Sequence, residues 1–248
     1  MPHPSSLPYM VSFTNALRLT DQENPFKPKN LLPAAIMNNQ HITIERIDTP
    51  NPDEFQRFRV HFYETHLIHV TLTSNPFVVC GWIEKITWFK RKRIHGDRKL
   101  VVGLGVQWSP YYNCAAILQL CVGHRCLVFQ LQQANMVMLP LRRFLSNHSN
   151  TFVGFFKYKK RRMLLNSEHK LFVRNFVDIR DLSETLGSRN ASLELLANSL
   201  FGFKGVKKSR TIEKSNWNDV LLTEEQVKYA SVDAFLSFRI GMHFKVWA

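Results

Sequence analysis

A phenol and a carboxylate, Tyr229 and Asp233, stand four residues apart in the stretch Thr223 to Ala234, which reads T-E-E-Q-V-K-Y-A-S-V-D-A. Residues four apart on a helix leave from one face, so the two side chains can act together. The helix itself is well signalled. Thr223 with Gln226 three residues later is a capping-box start, and Leu222 with Val227 forms its hydrophobic staple. Glu224 and Glu225 lie where the macrodipole favours anions. Val227, Ala230, Ala234 and Phe238 then recur at three- and four-residue steps, the period of a half-buried helix. Spacing alone is satisfied by a hydrogen-bonded surface pair, so the surrounding residues must decide whether the pair does chemistry.

Those residues are Lys214-Ser215-Asn216-Trp217, Leu222-Thr223, Gln226, Tyr229-Ala230 and Asp233-Ala234. Together they closely resemble the third motif of the DEDDy 3'–5' exonucleases, nearest to the Werner-syndrome-type exonuclease domain and its plant relatives. The resemblance runs from about Phe58 to Gly241, through His61-Phe62-Tyr63, Ile68-His69, Val101-Val102-Gly103-Leu104, Trp108, Phe129-Gln130-Leu131, Phe152-Val153-Gly154 and Val177 to Leu182. It implies an RNase H-like fold, Asp233 as a ligand of Mg²⁺ or Mn²⁺, and Tyr229 as the group that orients the attacking water.

The other two motifs depart from the family pattern. The first should place an Asp and a Glu two apart on one strand, where both share a face and reach one metal. Here the segment reads Val102-Gly103-Leu104-Gly105-Val106-Gln107-Trp108, with Gly105 and Gln107 at the acid positions. The second motif aligns with Val153 to Lys160 and puts Lys160 where its Asp belongs. Of the four metal-binding acids, Asp233 alone remains. Asp178, Asp181, Glu168 and Asp97 are acids by type, but the first two match positions that look structural in active relatives. A cluster of cations and aromatics, Lys157, Tyr158, Lys159, Lys160, Arg161, Arg162 and Trp108, falls at the expected cleft. That mixture suits single-stranded nucleic acid, whose phosphates pair with cations while bases stack; a solvated helix face is the plainer account. The expectation is a nucleic-acid-binding member of the exonuclease family that is impaired or inactive, with no cofactor. Two alternatives stay open. One is an active Mg²⁺- or Mn²⁺-dependent exonuclease on DNA or RNA ends; the other is an interaction module that partners an active nuclease or a helicase.

The elements that must position these residues are legible across the chain. Its 248 residues carry 33 Lys and Arg against 19 Asp and Glu, a net charge of +14 that suits a polyanionic partner. Hydrophobic residues make up 45%, ample for one sizeable domain. Apolar runs of about ten residues fall short of a bilayer span, and the opening M-P-H-P-S-S has neither a basic leader nor an apolar signal core. An intracellular protein, nuclear or cytoplasmic, is expected. Lys90-Arg91-Lys92-Arg93 reads equally as an import signal, a phosphate contact or a solvated helix end. The four cysteines read as buried thiols, and a zinc site of Cys114, Cys121, His124 and Cys126 is set aside on spacing.

Residues 1–54, rich in Pro, Asn and Ser, read as a mostly disordered or loosely packed extension. Residues 55–248 read as the exonuclease domain. Alternation marks strands at Phe58 to Phe62 and Ile68 to Leu72, and a helix opens at Pro76. Three strands on short joins follow (Lys99 to Trp108, Cys114 to Val122, Cys126 to Leu131), which makes them antiparallel neighbours. Thr151 to Phe156 and Phe176 to Ile179 then alternate with helices, as parallel strands do. The expected fold class is α/β, a mixed RNase H-like sheet with helices on both faces.

Overall fold

The computed structural model describes residues 41–93, 99–108, 114–184, 191–206 and 209–248, with Arg93 described by its backbone only. Eight strands form a single mixed sheet: β1 (Ile42–Ile47), β2 (Gln56–Phe62), β3 (His66–Thr73), β4 (Leu100–Trp108), β5 (Ala115–Val122), β6 (Arg125–Gln130), β7 (Asn150–Gly154) and β8 (Phe176–Asp178). Their order across the sheet is β1-β2-β3-β6-β5-β4-β7-β8. The β4-β5-β6 meander is antiparallel, whereas β6 pairs parallel with β3, and β7 runs parallel to both β4 and β8. The strands at the centre are buried on both faces, so β4 and β5 are apolar almost throughout instead of alternating.

Helices cover both faces, as expected. One face carries α5 (Leu193–Phe201) and α7 (Glu224–His243), whose Leu193, Leu196, Val227, Ala230, Phe235 and Ile240 pack with Val60, Phe62, Val101, Ile117 and Val128. The other carries α1 (Pro76–Arg93), α2 (Leu139–Ser146) and α3 (Lys157–Asn166), whose Val79, Ile83, Phe144, Met163 and Leu164 meet Val102, Leu104, Leu118, Leu127 and Phe152. Two short helices, α4 (Ile179–Glu184) and α6 (Arg210–Glu213), and a 3-10 turn at Leu131–Gln133 complete the described elements. The two parities of each central strand thus feed two separate cores.

Three expectations need correction. The sheet begins earlier than position 55, because β1 lies within the segment read as loosely packed and pairs antiparallel with β2, Ile42 opposite Phe62; residues 1–40 lie outside the described residues. Helix α7 has its capping box, with Thr223 Oγ1 accepting from the Gln226 N–H and Gln226 Oε1 accepting from the Thr223 N–H. It is not half-buried, however, because Ser231, Val232, Asp233, Leu236 and Ser237 are enclosed along with the apolar stripe. Finally, the cysteines are not four buried thiols. Cys121 and Cys126 face each other across β5 and β6 as a disulfide, and Cys80 and Cys114 are free and only partly buried.

No described helix is long and apolar enough to cross a membrane.

Candidate functional site

The site is assembled where α7 crosses the middle of β4. Gly103 makes that crossing possible: an added Cβ there would lie 1.9 Å from the Ala234 carbonyl oxygen and 2.7 Å from the Phe238 nitrogen. Backbone therefore meets backbone, and Asp233 is carried to the strand that holds Gly105 and Gln107. Asp233 is buried (5% exposed), whereas Tyr229, one turn earlier, is half-buried. Both line a cavity of about 220 Å³ whose walls also include Tyr63, Val206, Ser209, Ile212, Glu225 and Lys228. Burial, followed by the nearby charges of Asp233, Glu213 and Glu194, pushes the Tyr229 phenol well above its ordinary pKa, so it keeps its proton at neutral pH.

Lys160 reaches the same strand from α3. It is 9% exposed, and its Nζ donates to the Leu104 carbonyl at 3.4 Å. That carbonyl sits where β4 and β7 part, close against Gly154. Lys160 thus turns inward, three and four residues before the buried Met163 and Leu164. Gln107 is likewise buried, at 4%.

The neighbouring cations divide by role. Lys157 pairs with Asp181 at 2.6 Å. Lys159 Nζ lies 4.2 Å from the centre of the Trp108 ring, a cation–π contact that joins α3 to the end of β4. Arg161 donates to the Arg174 carbonyl. Tyr158, at 73% exposure, and Arg162 face solvent. None of residues 157–162 lines the Tyr229/Asp233 cavity; the exposed ones, Tyr158, Lys159 and Arg162, form a rim on α3.

Asp178 anchors that rim. It is 1% exposed, and its Oδ2 accepts from the Lys157 N–H at 2.9 Å and from Arg180 Nη2 at 2.8 Å. It supplies the cap that α3 lacks locally, because Phe156 at the N-cap is left-handed and offers no oxygen. Burial pushes the Asp178 carboxyl up, but hydrogen bonds from Arg180 and from the backbone N–H groups of Lys157 and Arg180 outweigh it and hold the pKa below the ordinary value. A depressed native pKa means that the unfolded chain binds the proton more readily. The stabilisation is therefore complete above the unfolded pKa and is lost as pH falls through the native one. Asp178→Asn is expected to lose about 3 kcal/mol at pH 7, because it leaves Arg180 without its buried partner. Urea unfolding at pH 7 and pH 3 checks this: the gap between wild type and variant should narrow at the lower pH.

The acids considered as substitutes are accounted for. Asp178 and Asp181 are held by Arg180 and Lys157, Glu168 is exposed, and Asp97 lies outside the described residues. Among the described residues, no group of three or more His, Cys, Asp or Glu could hold a metal ion. Gly105 brings no donor, Gln107 a neutral amide and Lys160 a cation, so these three residues do not fit a divalent pair.

Sequence reading missed two features. Gln119, the one polar residue in the run A-A-I-L-Q-L-C-V of β5, is fully buried opposite Gly105; its isolation in an apolar strand was the available signal. The rings of His66 and His124 lie tilted against each other beside Phe235, with His124 Nε2 3.2 Å from His66 Nδ1 and Arg239 Nη1 3.0 Å from His66 Nε2. Burial, then Arg239 and His124, push the His66 pKa down to about 4, so this array is neutral at its imidazoles near pH 7. Its members lie 58 and 173 residues apart in sequence, and nothing local announces them.

A sequence profile described as 3'-5' exonuclease matches residues 104–246. The bifunctional 3'-5' exonuclease/ATP-dependent helicase WRN of Mus musculus is 31% identical over 144 residues, which cover 54% of this chain and 10% of that protein, so the chain corresponds to a small part of that relative. Escherichia coli RNase D, an exoribonuclease involved in structured RNA processing, superposes with a TM-score of 0.59 at 15% identity, covering 71% of this chain and 44% of that one. This bears out the RNase H-like fold. The EXD2 exonuclease domain, solved from crystals soaked in Mn and Mg, is 23% identical over 70% of this chain and 87% of its own, with a TM-score of 0.40. With the profile spanning more than half of its length, the chain belongs to the 3'-5' exonuclease domain family.

Proposed function

We propose that this domain binds single-stranded nucleic acid, at or near a 3' end, without hydrolysing it and without a metal cofactor. The observation that carries this reading is Lys160, an ammonium buried against the Leu104 carbonyl at the place where the family motif would put a carboxylate. A cation there opposes a divalent ion and welcomes a phosphate. The rim on α3 supports the same reading. Lys159 and Arg162 are exposed cations beside the exposed Tyr158 ring and the partly exposed Trp108, a combination that pairs with phosphates and stacks bases.

The test is fluorescence anisotropy with a 3'-labelled single-stranded oligonucleotide in EDTA, over a series of salt concentrations. Each cation contacting a phosphate contributes about 0.7 to the slope of log affinity against log salt for a single strand. The double variant Lys159→Ala/Arg162→Ala is therefore expected to flatten that slope by about one unit or more and to weaken binding roughly tenfold at low salt. Retention independent of salt, or unchanged by the variant, would remove the rim from the reading. No retention at all would turn attention to a protein partner.

A further inference from the structure

Gln119 is the fully buried polar side chain of β5, and among the described residues neither its Oε1 nor its Nε2 has a hydrogen-bond partner. Such groups are rare in folded proteins, because an unpaired buried amide forfeits the bonds it made with water. The residue directly across the β4–β5 ladder is Gly105. Both lie on the face that meets α7, since Gly103, two residues before Gly105 on β4, abuts the Ala234 backbone. A Cβ added at position 105 would fall 1.8 Å from Gln119 Oε1 and 2.8 Å from its Cδ, with the Gln119 Cβ at 3.3 Å. The carboxamide thus leans into the notch left by the missing side chain. The atoms in the way are the far end of a flexible residue, so rotating its terminal torsions readmits a side chain at 105 and brings the amide alongside it.

We infer that Gln119 is the positioning residue for the first acid of the family site, its Nε2 donating to a carboxylate carried at position 105, and that Gly105 leaves this brace without its load. The inference rests on the reading that Gly105 occupies the first acid position. Side chains that hold a metal ligand in orientation commonly matter nearly as much as the ligand itself. The chain has therefore kept a support whose object is gone. Restoring ligands one at a time understates what the scaffold still provides.

The signature is a reversal of sign. Gln119→Met, unbranched and of similar volume, removes the unpaired amide. It is expected to raise the melting temperature of the otherwise wild-type chain by about 2–4 °C. In a chain carrying Gly105→Asp, the same change removes a partner and is expected to lower the melting temperature by a similar amount. A shift of the same sign in both backgrounds overturns the inference. Should Gly105→Asp not fold, Gly105→Ser allows the same comparison with a hydroxyl as partner. A second readout separates positioning from packing. In the chain carrying Gly105→Asp, Gln107→Glu and Lys160→Asp, Mn²⁺ affinity followed by electron paramagnetic resonance should fall about tenfold or more when Gln119→Met is added. Equal Mn²⁺ affinity, or none in either chain, overturns the inference. Neither measurement depends on whether the wild-type domain binds or cuts an oligonucleotide, so the two readings fail separately.

Discussion

Gly103→Ala is expected to destabilise the domain by about 3 kcal/mol or more, lowering its melting temperature by roughly 6–12 °C. One methyl group rarely has so large an effect, and the reason lies in what it would meet. The added carbon would stand 1.9 Å from the Ala234 carbonyl oxygen and 3.0 Å from its carbonyl carbon, atoms fixed within the hydrogen-bond ladder of α7. No rotamer change relieves a contact with helix backbone, so α7 must lift away from β4. That movement would loosen Val227, Ala230, Ala234, Phe235 and Ile240, all fully buried, and each such apolar side chain larger than alanine contributes about 1.5–3 kcal/mol by its burial. Against a typical total of about 5–15 kcal/mol, even partial lifting removes much of the margin. Gly81→Ala is the matched control. Gly81 lies within α1, where an added Cβ meets nothing within 4 Å, and removing a helical glycine is expected to stabilise by about 0.5–1 kcal/mol. Urea unfolding followed by circular dichroism compares the two. A Gly103→Ala chain within about 0.5 kcal/mol of wild type would show that α7 is not seated by backbone contact, and the placement of Asp233 would have to be reconsidered.

What could be read from the sequence depended on where the physical signal was local. Strands β2 and β3 alternate because one parity of each is buried while the other faces solvent or is partly exposed, and the motif around Tyr229 carried its own cap. Strand β1 escaped because edge strands bury little: Glu45 and Arg46 are exposed in it, and Pro50 and Pro52 follow closely. The depth of α7 is hidden in the sequence for a different reason. Ser231 and Ser237 look solvent-facing in sequence, yet their hydroxyls bond back to the carbonyls of Lys228 and Asp233 and so can be buried. The basic run at residues 157–162 does not by its composition set Lys160 apart as buried, although its spacing from Met163 and Leu164 places it on their inward face. The Cys121–Cys126 bond depends on the register across the Gly123-His124 turn; no residue type states that register in advance. The same holds for Gln119, which acquires meaning only once Gly105 is known to lie across from it.

Catalytic turnover is the second large effect. The wild-type domain, given Mg²⁺ or Mn²⁺ and a 3'-labelled oligonucleotide, is expected to cut no faster than its own Asp233→Ala variant. Two-metal hydrolysis needs cations roughly 4 Å apart, one to activate water and one to hold the leaving oxygen. The family's four acids would supply that site with four negative charges; on the proposed reading, the residues here supply one anion, Asp233, and one cation, Lys160. At an effective dielectric of 20, a unit charge ~4 Å from a divalent ion changes its energy by about 8 kcal/mol, so exchanging a carboxylate for an ammonium acts twice against binding. Enzymes that hydrolyse phosphate esters lower the barrier by upwards of ~20 kcal/mol. On the proposed reading, a phenol that keeps its proton and a single buried carboxylate are what remains for that task, and they are too little for it. The combined variant Gly105→Asp/Gln107→Glu/Lys160→Asp replaces all three residues, and metal-dependent release of 3' nucleotides should then rise by several orders of magnitude above the wild-type background. Single restorations should remain silent, since each leaves the cation pair without most of its ligands. Wild-type cutting that requires Mn²⁺ and disappears with Asp233→Ala would contradict this account, because it would mean that a single carboxylate on α7 suffices where the family pattern places four.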